Sequence, residues 1–174
     1  MKRPATKLLD LLRTYDGRAI SILGEIEAEF GAGDDYLDKL ITFAAHEQVE
    51  VSDGATWLIK SALENGARFS AGQTAALCQT VSDTTTWQAQ LHVCQSVQYL
   101  DLSQTDAAVM AEWLKPLLTH DRPFLRAWSL DALCRIGVVH EEYAEAAREA
   151  LATADEDNAA SVRARARKLA GLVG

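Results

Sequence analysis

Two His-Glu dipeptides, His46-Glu47 and His140-Glu141, are the first residues in the chain that could do chemistry. Imidazole beside carboxylate is a donor set that suits iron. A metal site needs several such pairs to converge. Here His46 falls towards the end of one helical segment and His140 at the start of another, with no third pair. The three cysteines, Cys78, Cys94 and Cys134, are widely spaced and form no C-x-x-C. They read as buried small apolar side chains in a reducing compartment, not as a zinc or redox centre. Gly-Ala-Gly at 31–33 follows a helix and not a strand, and no phosphate loop, nucleophile elbow, H-E-x-x-H or calcium loop occurs. The expectation is a protein with no cofactor, no metal and no convergent catalytic set.

The residues suited to binding are more suggestive. His92 shares a helical face with Gln88, Gln95 and Tyr99 at spacings of four, three and four, a polar but uncharged strip in the middle of the chain. Trp57 lines up with Lys60, Ser61 and Glu64, an unusual place for an indole unless something covers it. Trp87 holds the equivalent place in the next segment, whereas Trp113 and Trp128 lie on apolar stripes and read as core. A basic run, Arg163, Arg165, Arg167 and Lys168, closes the chain. It reads as a solvated cap on the last helix, with charges favourable near a helix C-terminus; anion binding is the other use of such a run.

Apolar spacing predicts the elements that must position these residues. Intervals of three and four recur in ten segments, near 5–15, 17–30, 35–47, 53–65, 70–82, 84–100, 103–119, 122–136, 140–153 and 158–173, and no segment sustains strand alternation. In the eighth, Leu125, Trp128, Ser129, Ala132, Leu133 and Ile136 form one stripe and Ala127, Leu130 and Cys134 widen it. Asp131 and Arg135 fall outside both stripes and are spaced for an i,i+4 ion pair. Every second segment is preceded by an aspartate: Asp16, Asp53, Asp83, Asp121 and Asp157, at intervals of 37, 30, 38 and 36 residues. Aspartate is a good N-cap, and Pro123 suits a first turn. A near-constant period of helix pairs is the signature of a repeat array.

The eighth and tenth segments carry a resemblance. Asp121, Pro123, Leu125, Arg126, Ala127 and Leu133 look like the second helix of a HEAT-type repeat, and Val162, Arg163, Ala164, Ala166 and Leu169 resemble the same helix one unit later. Pro116, late in a first helix, is similar to the kink of HEAT first helices. The resemblance covers about 103–174 and is weaker before, where Leu58 and Gln88 stand in place of the arginine. It implies a ladder in which the aspartate of each intra-repeat turn and the arginine of the second helix bond between neighbours, Asp121 with Arg126 and Asp157 with Arg163. It also implies that second helices line an inner surface. HEAT-like hydroxylases of the deoxyhypusine type use His-Glu pairs to hold two irons, a pattern the two dipeptides here do not reproduce.

The expected fold is therefore all-α: a single domain, 1–174, built as an α-solenoid of about five HEAT-like antiparallel helix pairs. The alternative is an irregular helical bundle. At 174 residues, 48% hydrophobic and 24% charged, the chain is ordinary globular material. Seventeen basic against 25 acidic residues leave a net charge of −8, which argues against tracking a phosphate backbone. Lys2 and Arg3 imitate the start of a signal peptide, but Asp10 and Arg13 break the apolar run that follows, and no stretch reaches the ~20 apolar residues of a membrane span. A cytoplasmic, non-enzymatic scaffold is expected, binding a peptide or protein through Trp57, Gln88, His92 and Tyr99, with Arg126 and Arg163 as polar neighbours. The alternatives are a nucleic-acid-binding protein resembling the HEAT-like DNA-alkylation glycosylases, and a protein resembling the phycobilin lyases.

Overall fold

The computed structural model describes residues 4–173; Lys2 and Arg3 lie outside them. The described residues form ten α-helices and no strand. These are α1 (Pro4–Leu12), α2 (Ile20–Phe30), α3 (Tyr36–Phe43), α4 (Val49–Glu64), α5 (Ala71–Thr80), α6 (Trp87–Ser96), α7 (Gln104–Leu114), α8 (Pro123–Val139), α9 (Ala144–Asp155) and α10 (Ala160–Leu169). Short 3₁₀ turns follow α5, α6 and α7 and precede α9. The one after α7, Lys115–Thr119, begins beside Pro116: proline lacks the N–H that would continue the α-ladder, so the helix tightens where the sequence suggested a kink. Two compact units result, Met1–Val93 and Cys94–Gly174.

In the first unit α1 packs on α2 and α4, α2 on α4, and α3 on α4 and α5. The central helix is α4, whose buried set runs almost all round: Val51, Ser52, Asp53, Gly54, Ala55, Thr56, Leu58, Ile59, Ser61, Ala62 and Leu63. In the second unit α8 holds the same place, packed against α7, α9 and α10, with α9 also against α10. Gly137 brings α9 close. A Cβ there would stand 3.1 Å from Ala147 Cβ and 3.1 Å from the Tyr143 carbonyl, so only hydrogen fits without a shift. Leu125, Leu130 and Ile136 are buried along α8, and truncating one would cost about 2–5 kcal/mol.

The helix starts depart from the aspartate rule in three of five cases. Helix α4 begins at Val49, four residues before Asp53. Asp53 is thus a buried second-turn residue that accepts the Thr86 hydroxyl. Asp83 lies in a 3₁₀ turn; the start of α6 is served by Thr86, whose Oγ1 accepts the Ala89 N–H at 3.1 Å. Asp121 precedes α8, but the residue flanking that helix is Arg122 and no side chain caps it. Pro123, in the first turn, removes one amide that a cap would have satisfied. Asp16 and Asp157 do accept backbone amides, from Arg18 and Ala19 and from Ala159. Complete capping boxes stand on α5 (Ser70 with Gln73) and α7 (Ser103 with Asp106), where the serine hydroxyl accepts the amide of the third residue and that residue's side chain accepts the amide of the serine. Asp35, the residue before α3, makes no cap bond and instead pairs with Lys39 at 2.5 Å.

Helix α4 ends at Asn65, followed by Gly66 with φ +99°. The Ala67 N–H reaches the Ala62 carbonyl at 2.9 Å and the Gly66 N–H the Leu63 carbonyl at 3.1 Å. This Schellman closure needs the left-handed conformation that glycine adopts at little cost.

Candidate functional site

Two aspartate–arginine assemblies sit on α8 and its neighbour α10. At the N-terminal end, Arg126 Nε and Nη2 donate to the two carboxylate oxygens of Asp157, each at 2.8 Å. Nη1 donates to the His120 carbonyl at 2.7 Å and the Asp121 carbonyl at 3.2 Å, and Nη2 also to Asn158 Oδ1 at 3.2 Å. A guanidinium has five N–H groups, and all five are used. Arg163 Nη1 donates to the Asp157 carbonyl at 2.5 Å. The link therefore runs from the arginine of one helix pair to the turn of the next. Asp121 contributes only main chain. Hydrogen bonds from Arg126, above all, hold the Asp157 carboxyl below its ordinary range.

Two turns further along α8 the assembly is built differently. Asp131 is buried, its side chain 3% exposed, and each of its oxygens takes one arginine: Arg135 Nε at 2.5 Å, and Arg165 Nη1 from α10 at 3.1 Å. The Arg165 guanidinium lies 3.9 Å from the centroid of the Trp128 ring, a cation–π stack that fixes its plane. Arg135 remains 36% exposed and Arg165 26%. Among the described residues, both Nη groups of Arg135, and Nε and one Nη of Arg165, have no hydrogen-bond acceptor. Two cations around one anion leave a local charge of +1. Burial first, and the Asp131 charge second, push the nearby Cys134 thiol up to about 12, so it is inert as a nucleophile.

Beyond Arg135 the same stripe of α8 turns apolar. A groove of about 210 Å³ is lined by Val97, Leu100, Leu102, Ile136, Val138, Val139 and Leu172, with Arg135, Gln98, Asp101 and His140 at its edges. Val139 is 72% exposed, Val138 54% and Leu172 46%. His140 Nε2–H donates to the Leu102 carbonyl at 3.1 Å, which ties the segment after α6 to the end of α8 and fixes one wall. The other exposed large apolar side chains, Ile20, Val49, Val109 and Phe124, are scattered over different elements. A larger hollow of about 350 Å³ between α7 and α9, including Leu118, Tyr143 and Ala146, contains none of these exposed side chains.

The residues expected to bind are divided between the two units. In the first unit, Trp57 is half-buried with the Lys60 ammonium 6.0 Å from its ring centroid, and Gln88 is half-buried. His92 Nδ1 lies 3.1 Å from Thr56 Oγ1, and burial, helped by the Lys60 charge, lowers its pKa to about 3. It is neutral at any physiological pH. In the second unit Tyr99 is half-buried beside the groove-lining segment, whereas Arg126 and Arg163 are engaged at the Asp157 turn. Trp128, expected in the core, carries Arg165 on its face. Asp131 makes the expected pair with Arg135 but is buried, because α10 covers the face that the α8 stripes left polar. Its signal in the sequence was the Trp128–Asp131–Arg135 spacing of three and four.

Cys78, Cys94 and Cys134 are buried thiols. Among the described residues no cluster of His, Cys, Asp or Glu is placed to hold a metal ion, and no helix is long and apolar enough to cross a membrane. Comparison with protein-family models, with curated proteins and with solved structures finds no match to this chain.

Proposed function

We propose that this protein is a non-enzymatic interaction module, a HEAT-like α-solenoid of helix pairs that binds a short peptide segment of a partner protein on its second helices. The packing of α3 on α4 and α5, and of α8 on α7, α9 and α10, supports repeat stacking, as does the Arg126–Asp157 link between successive pairs. The observation that carries the binding reading is the groove at the end of α8. Three exposed aliphatic side chains that water would otherwise wet converge on one polar-rimmed hollow, the pattern of an interaction patch. Its volume of about 210 Å³ is below the ~300–1,000 Å³ of small-molecule pockets, and so suits side-chain anchors better than a cofactor. Arg135 at its edge gives the occupant a charge preference: an apolar segment with an acidic group.

The nucleic-acid alternative has one favourable feature, an aromatic, a carboxylate and arginines together at Trp128, Asp131 and Arg165. The Asp131 carboxylate, however, is buried with both oxygens occupied, so it is closed to a base. The test is a display library of random octapeptides panned on the full chain and on Val139→Asp, a substitution at a largely exposed position. Enrichment on the native chain that is lost on the variant is expected. Equal enrichment on both, or none on either, refutes the groove; firm retention on heparin at low salt would favour the nucleic-acid reading.

A further inference from the structure

We propose that Arg135 and Arg165 form a preorganised subsite for a carboxylate, taking an acidic side chain of the peptide whose apolar residues fill the adjacent groove. This rests on the groove reading above and names the chemistry of its partner.

Three features of the arrangement point to a ligand. The first is rigidity without saturation. The buried Asp131 carboxylate holds one nitrogen of each guanidinium, and the Trp128 ring supports the plane of Arg165. Neither arginine must be ordered on binding, which removes much of the usual entropic cost of fixing a long side chain. Their remaining donors have no partner among the described residues, and both side chains are partly open to the surface. Fork-shaped donors of this kind suit carboxylate and phosphate oxygens.

The second feature is charge. Two cations about one anion leave +1, which a monoanionic carboxylate neutralises. A dianionic phosphate would overshoot it, within a chain already at −8. The third is continuity. Arg135 lines the groove itself, and Val138 and Val139 lie three and four residues beyond it on the same helix. Leu172 lies in the turn three residues past the end of α10, which carries Arg165. One short segment can place an aliphatic side chain in the hollow and an acidic one on the arginines. Asp101 also lines the groove, and its charge disfavours an acidic residue placed beside it.

The experiment uses the full chain immobilised and three pools of acetylated, amidated octapeptides. Each pool is built from Gly, Ser, Leu, Val, Ile and Phe with one internal residue set as Asp, Asn or phosphoserine. The native chain should retain the Asp pool at least about tenfold better than the Asn pool, since a charge-assisted pair is worth roughly that factor. The preference should fall to near unity in Arg165→Gln and in Arg135→Gln, and Arg165→Lys, which keeps the charge but not the fork, should recover part of it. Circular dichroism and melting of each variant guard against misfolding. Equal retention of the Asp and Asn pools by the native chain overturns the subsite and leaves the groove standing. Retention of neither pool overturns both. Stronger retention of the phosphoserine pool, or elution of the Asp pool by millimolar inorganic phosphate, overturns the carboxylate assignment.

Discussion

Helix α8 carries two arginine–aspartate assemblies that use the same two residue types to opposite ends. Near its N-terminus Arg126 meets Asp157 with every N–H engaged, and both side chains are only 14% exposed. Two turns on, Asp131 holds Arg135 and Arg165 by one nitrogen each and leaves the rest of both guanidiniums open. The first assembly is closed. Its donors are matched by acceptors of a neighbouring turn, so its interaction energy goes into the fold. The second has an excess of donors over acceptors and an excess of charge, and both excesses face outward. An ion pair therefore reads as structural or functional by its balance of donors and acceptors, not by its presence.

The largest effect that would break this comparison is on stability. Arg126→Ala removes a bidentate pair and strands the Asp157 carboxylate and two carbonyls. It should lower the unfolding free energy by about 3 kcal/mol, measured by urea titration, with peptide retention unchanged. Arg165→Gln, tested above for binding, should cost under about 1 kcal/mol, as befits a partly exposed pair. If the two variants destabilise alike, the distinction between closed and open assemblies fails.

A smaller effect sharpens the contrast through pH. The Asp157 carboxyl titrates below its ordinary value because Arg126 bonds it. Its contribution is present above the pKa of an unfolded aspartate and is lost as pH falls through the lower folded value. Asp53 has the opposite sign: burial raises its pKa despite the Thr86 hydroxyl. The fold disfavours its ionised form, so stability falls as pH rises through the window above the unfolded value. Asp157→Asn should remove part of the acid-side slope in a pH series of melts. Asp53→Asn should melt no lower than the native chain at pH 7 and lose the decline towards neutral pH. Equal slopes in the two variants would contradict the assignment.

The smallest expected effect concerns Asp121. Its side chain caps nothing and only its carbonyl touches Arg126, so Asp121→Ala should change stability by less than about 0.5 kcal/mol. A loss near the ~1 kcal/mol of a true cap would reinstate the aspartate period as a set of caps.

Helix number and type were legible because apolar spacing of three and four survives in every segment and no segment sustains a competing strand alternation. Starts were less legible. An aspartate near a boundary reads as a cap whether its carboxylate meets a free amide, as Asp16 does, or sits a turn inside the helix, as Asp53 does. Local sequence cannot say which, because the answer depends on where the preceding turn releases the chain. The resemblance to HEAT repeats implied a ladder pairing Asp121 with Arg126 and Asp157 with Arg163; the bidentate pair instead joins Arg126 to Asp157. The Asp131 assembly was half visible: Arg135 at i+4 is local, whereas Arg165 arrives from α10, and no spacing rule reaches across 34 residues. The groove was invisible for the same reason, since Val138, Val139 and Leu172 each look like ordinary ends of apolar stripes.

The three thiols have a consequence for watching this molecule move. Cys78 belongs to the first unit and Cys94 and Cys134 to the second, all buried, and burial raises the pKa of Cys94 and Cys134. A thiol-reactive dye cannot attack either of these two until the surrounding helices part and the sulfur regains its ordinary acidity. Labelling rate under native conditions then counts opening events. Because the cysteines are divided between the units, two clocks run in one chain, and their ratio reports whether the units open together or one at a time.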